Sequence, residues 1–343
     1  MKKILFSILC AGAVISCAKV EVVTAEQEAI TFENAFVDNA TKALDGYTVT
    51  KNNLGTFDVW GTTQRPGVDE IVPIFVKEAV SSTDNGATWT YAVANTQYWI
   101  PDNTYVFAAV KNYGSVGLVN GVPATIVYDA TTQADLLYDD ATATGANAGS
   151  NNAVAFTFEH LLSKAYFTVK NEMSADNANY SYRVSNIAIN NAVKKATYKV
   201  ATEKWEDATA SYTAGAPLAF GNVNGLADAT GAAAIKIPAN KVYTSHYSRL
   251  LIPATYADLN VTCTIETLYG EEVIDVEDYD NDIAFTFEKG HAYNFILTLK
   301  NPGDVIKFDV TAVNGWVEGD SNLPNMENQQ PVPSTPDEDE DDE

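Results

Sequence analysis

The sequence predicts an all-β protein built from two tandem β-sandwich domains. Three observations carry this. Apolar residues recur in short alternating runs, Asn, Asp, Gly, Thr and Pro separate those runs, and no long stretch repeats at helical spacing. The 18 Tyr and 14 Phe suit pleated, half-buried surfaces. A length of 343 residues fits two domains of about 150 residues each, with one large sandwich as the alternative, and 46% apolar with 19% charged residues marks a globular chain.

Composition also excludes partners. The net charge is −24, whereas nucleic-acid phosphates need a basic face and an anionic bilayer attracts basic segments. Nucleic acid is therefore not expected as a partner. Three Cys and three His leave little for a metal or nucleophilic centre. No Ser lies in a Gly-x-Ser-x-Gly elbow and no His-Glu-x-x-His occurs. His160, His246 and His291 are far apart, and structural hydrogen bonding is expected of His160 and His291. No enzyme, cofactor or metal site is expected.

From the N-terminus, Lys2 and Lys3 precede an apolar run from Ile4 to Ile15. That run is too short to cross a bilayer core of about 30 Å and fits a signal peptide over residues 1–16. It ends Val14-Ile15-Ser16-Cys17, which resembles a bacterial lipobox. The resemblance implies cleavage before Cys17, a palmitate-type lipid on its sulfur and an outer-membrane address, with residues 17–27 as a lipidated linker. Cys263 is then the one free thiol, and stability has to come from apolar burial. Val261, Cys263 and Ile265 share one strand face, so Cys263 is expected in the core.

The first domain is expected over residues 28–172. Phe57 to Trp60 and Ile71 to Val76 alternate, and Pro73 places the second run at a sheet edge. Asp84-Asn85-Gly86 reads as a tight turn, because Asn-Gly supplies positive φ. Tyr105 to Ala109 follows the turn Pro101-Asp102-Asn103, and the Ala, Thr, Gly and Asn of residues 139–152 read as loop. Ala153 to Phe158 and Ala165 to Lys170 close the half.

The second domain is expected over 173–318, with strands at Tyr182 to Ile189, Ala196 to Val200, Ser248 to Ile252, Leu259 to Tyr269, Ile283 to Phe287, Tyr293 to Leu299 and Val305 to Val310. Residues 214–234 read as an extended Gly/Ala-rich loop. The acidic stretch Asp275 to Asp282 lacks the Gly of a hand-type calcium loop and reads as a solvated hairpin loop. Residues 319–343 form a Pro-bearing tail ending in seven consecutive acids, which like-charge repulsion keeps disordered. Trp60, Trp89, Trp99, Trp205 and Trp316 are core candidates, with sugar stacking as the alternative.

Several segments together resemble the fimbrillin family of lipoprotein-derived pilins. They are the lipobox, Ile30-Thr-Phe32 before Thr41-Lys42-Ala43, Trp99-Ile-Pro101 before Tyr105 to Ala109, Phe156-Thr-Phe158-Glu-His160-Leu, Leu250-Leu-Ile-Pro253, and Phe285 to Leu299 followed by Ile306 to Trp316. The resemblance implies seven-stranded, transthyretin-like sandwiches and a pilus subunit at the outer membrane and cell surface. It implies a trypsin-like protease that removes the first strand, after which other pilin subunits join by donor-strand exchange. Carried onto this chain, Glu28 to Val37 is the removable strand, Ile30, Phe32 and Phe36 form its buried face, and Lys42-Ala43 is the scissile pair. Family sites are often Arg, so Lys51 and Arg65 stand as fallbacks. The tail offers no alternating apolar strand to donate, which favours a tip or accessory subunit over a shaft subunit. The ligand of such a subunit is a host protein or glycan. The alternative is a glycan-binding surface lipoprotein that never polymerises.

Overall fold

The computed structural model describes residues 27–37, 53–223, 234–245 and 247–313. The expected signal peptide, Cys17, Lys42, Ala43, Lys51, His246, Trp316 and the acidic tail lie outside the described residues, as does the side chain of Phe36.

The protein is all-β. In chain order the first half supplies β1 (Phe32–Val37), β2 (Thr56–Gln64), β3 (Ile71–Ser81), β4 (Thr104–Lys111), β5 (Ser115–Val119), β6 (Val122–Asp129), β7 (Leu137–Thr144) and β8 (Val154–His160). Then come β9 (Ser163–Asn171), β10 (Tyr180–Ile189), β11 (Val193–Lys199), β12 (Lys204–Ser211), β13 (Leu218–Gly221) and β14 (Ile237–Pro238). The chain continues through β15 (Lys241–Thr244), β16 (Arg249–Leu251), β17 (Thr255–Tyr269), β18 (Glu272–Thr286), β19 (Ala292–Leu299) and β20 (Lys307–Val313). Among the described residues, helix occurs only as 3-10 turns of three residues such as Val93–Asn95.

Four sheets result. The first is six-stranded in the order β1-β8-β7-β4-β2-β3, with β1 parallel to β8. It ends on β3, the position that Pro73 tolerates because an outer N–H has no ladder partner. It is a middle layer with a core on each side. In β4, Tyr105, Phe107 and Ala109 enter one core while Ala108 and Val110 enter the other. A strand buried on both faces loses polar alternation, which is why this segment is apolar throughout.

The first core also holds Ile30, Phe32, Phe57, Phe75, Trp89, Trp99 and Phe156. The second core takes Trp60, Ile126 and Tyr128 and runs on into the second half, where Phe167, Val184, Val261, Phe295 and Leu297 meet. There β13-β10-β17-β18 and β15-β9-β19-β20 form two further sheets.

The fourth sheet, β12-β11-β6-β5, joins the halves: β6 pairs with β11 from Thr125↔Lys199 to Asp129↔Lys195. The expected division at residue 172 runs across this shared sheet. β9, which precedes that point, pairs with β15, β16 and β19 of the second half. Residues 155–159 and 284–288 are both Ala-Phe-Thr-Phe-Glu, and the strands that follow them, β9 and β19, lie parallel and adjacent.

Three local expectations change. Residues 139–144 are strand β7, because Ala141 and Ala143 present small side chains where the Tyr105 and Phe107 rings need room. Residues 218–221 form β13 within the expected Gly/Ala loop. The acids 275–282 belong to β18, not to a loop: β17 supplies the ladder partners, and the β17 side chains Asn260 and Thr264 donate to Asp280, Asp282 and Asp278.

Candidate functional site: the groove of the first strand

Residues 27–37 lie in a slot with partners on both edges. On one edge β1 runs parallel to β8, from Phe32↔Val154 to Val37↔Phe158, and Val154 N donates to Thr31 O at 2.8 Å. On the other edge Ile30 N donates to Gln97 O at 2.8 Å and Trp99 N donates to Glu28 O at 2.9 Å. Isolated bridges Ala29↔Tyr98 and Phe32↔Trp89 continue that edge, and Ser81↔Thr90 ties the 89–98 segment back to β3. The Asp84-Asn85-Gly86 turn sets this up, with φ of 58° at Asn85 and 82° at Gly86. Its Asp84 carboxylate accepts from Thr88 N at 2.9 Å, and its hydrogen bonds hold the carboxyl at about 2.

The floor of the slot is aromatic. Phe32 is 4% exposed, and its ring centroid lies 5.7 Å from Phe75, 5.7 Å from Tyr91, 6.3 Å from Phe107 and 5.9 Å from Phe156. Ile30 is 0% exposed, and Tyr91 OH donates to its carbonyl at 2.7 Å. Burial raises the Tyr91 hydroxyl above its ordinary range, so it stays a donor. Trp89 Nε1 is buried here without an acceptor.

Ile30 and Phe32 occupy the face that alternation predicts. Beyond them the β1–β8 register shifts between Glu33 and Phe36, and Ala35 becomes a buried residue at 1% exposure. A bulge adds one residue to the count, which strict period-two reading does not anticipate.

The start of the strand is held by a loop. Glu28 Oε2 accepts from Gly149 N at 2.7 Å, Asn151 Nδ2 at 2.9 Å and Asn151 N at 3.3 Å. Those bonds, the Asn151 side chain first, lower the Glu28 carboxyl from its ordinary value. Asn151 also accepts from Ala146 N at 2.7 Å, fixing the loop. Gly145 anchors the loop to the 100–103 segment through Gly145 N to Asn103 O at 2.8 Å and Asp102 N to Gly145 O at 2.9 Å. A Cβ on Gly145 would overlap the Ile100 carbonyl oxygen.

At the far end β7 and β8 pair only at Leu137↔His160 and Tyr138↔Glu159. There the Asp139 carboxylate takes the next free N–H, with Thr157 N at 2.6 Å, and burial lifts the Asp139 carboxyl to about 6.

The other candidate residues are structural. His160 and Asp135 are buried, with Nδ1 2.9 Å from the carboxylate. His291 Nδ1 lies 2.9 Å from Lys289 O. Cys263 is buried beside Val261 and Ile265, and burial pushes its thiol up to about 12. Trp60, Trp89 and Trp99 are buried, and Trp205 Nε1 donates to Leu161 O at 2.9 Å, so these rings serve packing instead of an open sugar platform. Arg65 is exposed in the β2–β3 connection. Among the described residues no His, Cys, Asp and Glu group is arranged to hold a metal ion. The Glu28 loop, the 89–99 wall and the parallel pairing are not legible in the sequence, since each joins segments far apart in the chain. The Gly-Ala-Asn-Ala-Gly-Ser-Asn run at 145–151 is a local signal for the loop.

Layered sheets with a first strand seated in an aromatic slot define an all-β sandwich protein. The fimbrillin-like family matches residues 41–316, and the chain belongs to that family. Residues 27–37 precede the matched span. Among solved structures, a fimbrial protein from Bacteroides vulgatus is similar at a TM-score of 0.62 and 17% identity, covering 84% of this chain and 99% of that one. A putative cell adhesion protein from Bacteroides uniformis aligns at 0.47 and 18%, covering 85% and 99%. A fimbrial assembly protein from Parabacteroides distasonis aligns at 0.40 and 14%, covering 83% and 100%. Comparison with curated proteins gives no match.

Proposed function

We propose that this chain is a pilus subunit of a bacterial surface, tip or accessory instead of shaft, which joins other subunits by strand exchange after losing its first strand. The observation that carries this reading is the seat of residues 27–37, bonded on both edges and buried at Ile30, Phe32 and Ala35. Removing the strand bares unpaired N–H and C=O rows beside an apolar slot, and an extended strand from another chain satisfies both. Family membership and the fimbrial name of the similar Bacteroides vulgatus structure support the same reading.

In this reading Cys17 carries the export lipid and a trypsin-like protease cuts at Lys42-Ala43. The mature subunit works at the outer-membrane surface, and its adhesive target is a host protein or glycan. The tip or accessory role rests on residues 319–343, whose composition offers no alternating apolar face to donate.

The test is mass and N-terminal analysis of the protein from producing cells, followed by trimming of purified protein and size analysis. An unlipidated N-terminus at Ala43 is expected, and the trimmed chain, which has no strand of its own to donate, is expected to stay monomeric alone and to take up an added peptide of residues 27–37. A surface form that keeps lipidated Cys17 with the whole chain behind it, or a trimmed folded chain that takes up no added strand, overturns the reading.

A further inference from the structure

We propose that the 145–151 loop reads a carboxylate and so sets the register of whatever strand fills the groove. An incoming strand then needs an Asp or Glu two residues before its buried aliphatic anchor and four before its aromatic anchor. This inference rests on the strand-replacement reading above.

The argument starts from ambiguity in the slot. A one-residue slip would turn Ile30 and Phe32 out of the core, so the pleat forbids it. A two-residue slip keeps the faces. It also keeps large apolar residues inside, because Ile30 and Phe32 are both large and both buried. Backbone pairing is blind to such a slip, since any residue offers the same N–H and C=O. The groove needs a contact that occurs at one position only.

Glu28 makes that contact. Gly149 N, Asn151 N and Asn151 Nδ2 converge on one of its oxygens at 2.7, 3.3 and 2.9 Å. All three donors are neutral, so the site selects by fixed N–H direction and not by bulk attraction. That matters in a chain of net charge −24, whose general field repels an incoming acid. The donors are also pre-set. Asn151 is cross-bonded to Ala146 N, Gly149 has φ of 82°, a conformation that L side chains rarely adopt, and Gly145 locks the loop base against Ile100. If the first strand leaves, these donors stay with the groove, because they belong to the β7–β8 connection.

Glu33 supplies the contrast. It lies in the same strand and carries the same charge, but it is exposed. A charge effect treats Glu28 and Glu33 alike, whereas a register site separates them.

The test uses the full chain with a protease site introduced between Val37 and Asn53. After cutting, the first strand is held only by non-covalent contacts. Labelled peptides of residues 27–37 are then added in three forms: native, Glu28→Gln and Glu33→Gln. The native and Glu33→Gln peptides are expected to enter the groove with similar affinity at pH 7. Glu28→Gln is expected to bind about tenfold more weakly, the scale of one charge-assisted contact. The difference should close as pH falls through the carboxylate range, and an Asn151→Ala chain should shrink it. Equal binding of Glu28→Gln and native peptide overturns the register site while leaving strand replacement standing. Equal loss for Glu28→Gln and Glu33→Gln overturns it as well, in favour of bulk charge. If the cut strand never leaves and no peptide enters, strand replacement itself falls, and the register site falls with it.

Discussion

Truncating Phe32 to Ala should release the first strand while the rest of the molecule stays folded. The ring is buried at 4% exposure against Phe75, Tyr91, Phe107 and Phe156, which come from β3, the 89–98 segment, β4 and β8. Four separate elements line the cavity, and the six-stranded sheet that carries three of them cannot close over it freely. Truncating a buried Phe costs about 3–5 kcal/mol, with the upper part expected where the site collapses poorly. Each tenfold change in an opening equilibrium corresponds to about 1.4 kcal/mol. The opening of residues 27–37 should therefore become more frequent by roughly two to three and a half orders of magnitude. Hydrogen exchange read by mass spectrometry tests this, with a peptide covering residues 27–37 as probe and one covering β19 as reference. The reasoning requires a large loss of protection in the first peptide and near-native protection in the second. Unchanged protection of residues 27–37 would refute the packing argument. Equal loss in both would show that the strand opens only when the whole molecule does, so that it cannot be exchanged from a folded subunit.

Gly145→Ala should destabilise by about 1–3 kcal/mol, the usual scale for forced overpacking, because its methyl meets the Ile100 carbonyl; urea unfolding measures it. Asp139 carries a pH term. Its folded value near 6 lies above an unfolded value near 3.9, so the folded state binds the extra proton between them and stability falls as pH rises from about 4 to about 6. The fall, reduced by partial solvent screening, should be about 2 kcal/mol or less. Asp139→Asn should remove it from urea midpoints taken across that window. Cys263 should resist a thiol reagent at pH 8 in the folded protein and react on unfolding, since burial keeps the thiol protonated to about 12; reaction in the folded state contradicts its placement. His160→Ala should cost about 3–5 kcal/mol by removing the ring that partners the buried Asp135 carboxylate; calorimetric unfolding checks it.

Features encoded by local chemistry are legible in the amino-acid sequence. Alternating runs made the chain all-β, Pro73 marked a sheet edge, and Asn85-Gly86 marked a turn. Val261, Cys263 and Ile265 marked one buried face, and Ile30 with Phe32 marked the inward side of the first strand. All of these follow from period-two alternation or from φ preferences within a few residues.

Features that depend on partners distant in the chain arise only on folding. Asp139 to Thr144 is loop-like in composition, yet pairing with β4 makes it strand. The acids of β18 are polar enough for a loop, yet β17 holds them in a ladder. The sheet shared between β6 and β11 crosses the boundary that composition suggested. Ala35 comes inward because of a register shift with β8, and Glu28 finds its donors 121 and 123 residues away in sequence. Backbone hydrogen bonds are blind to side-chain identity, so strand neighbours, register and the groove of the first strand emerge only when the cores close around them.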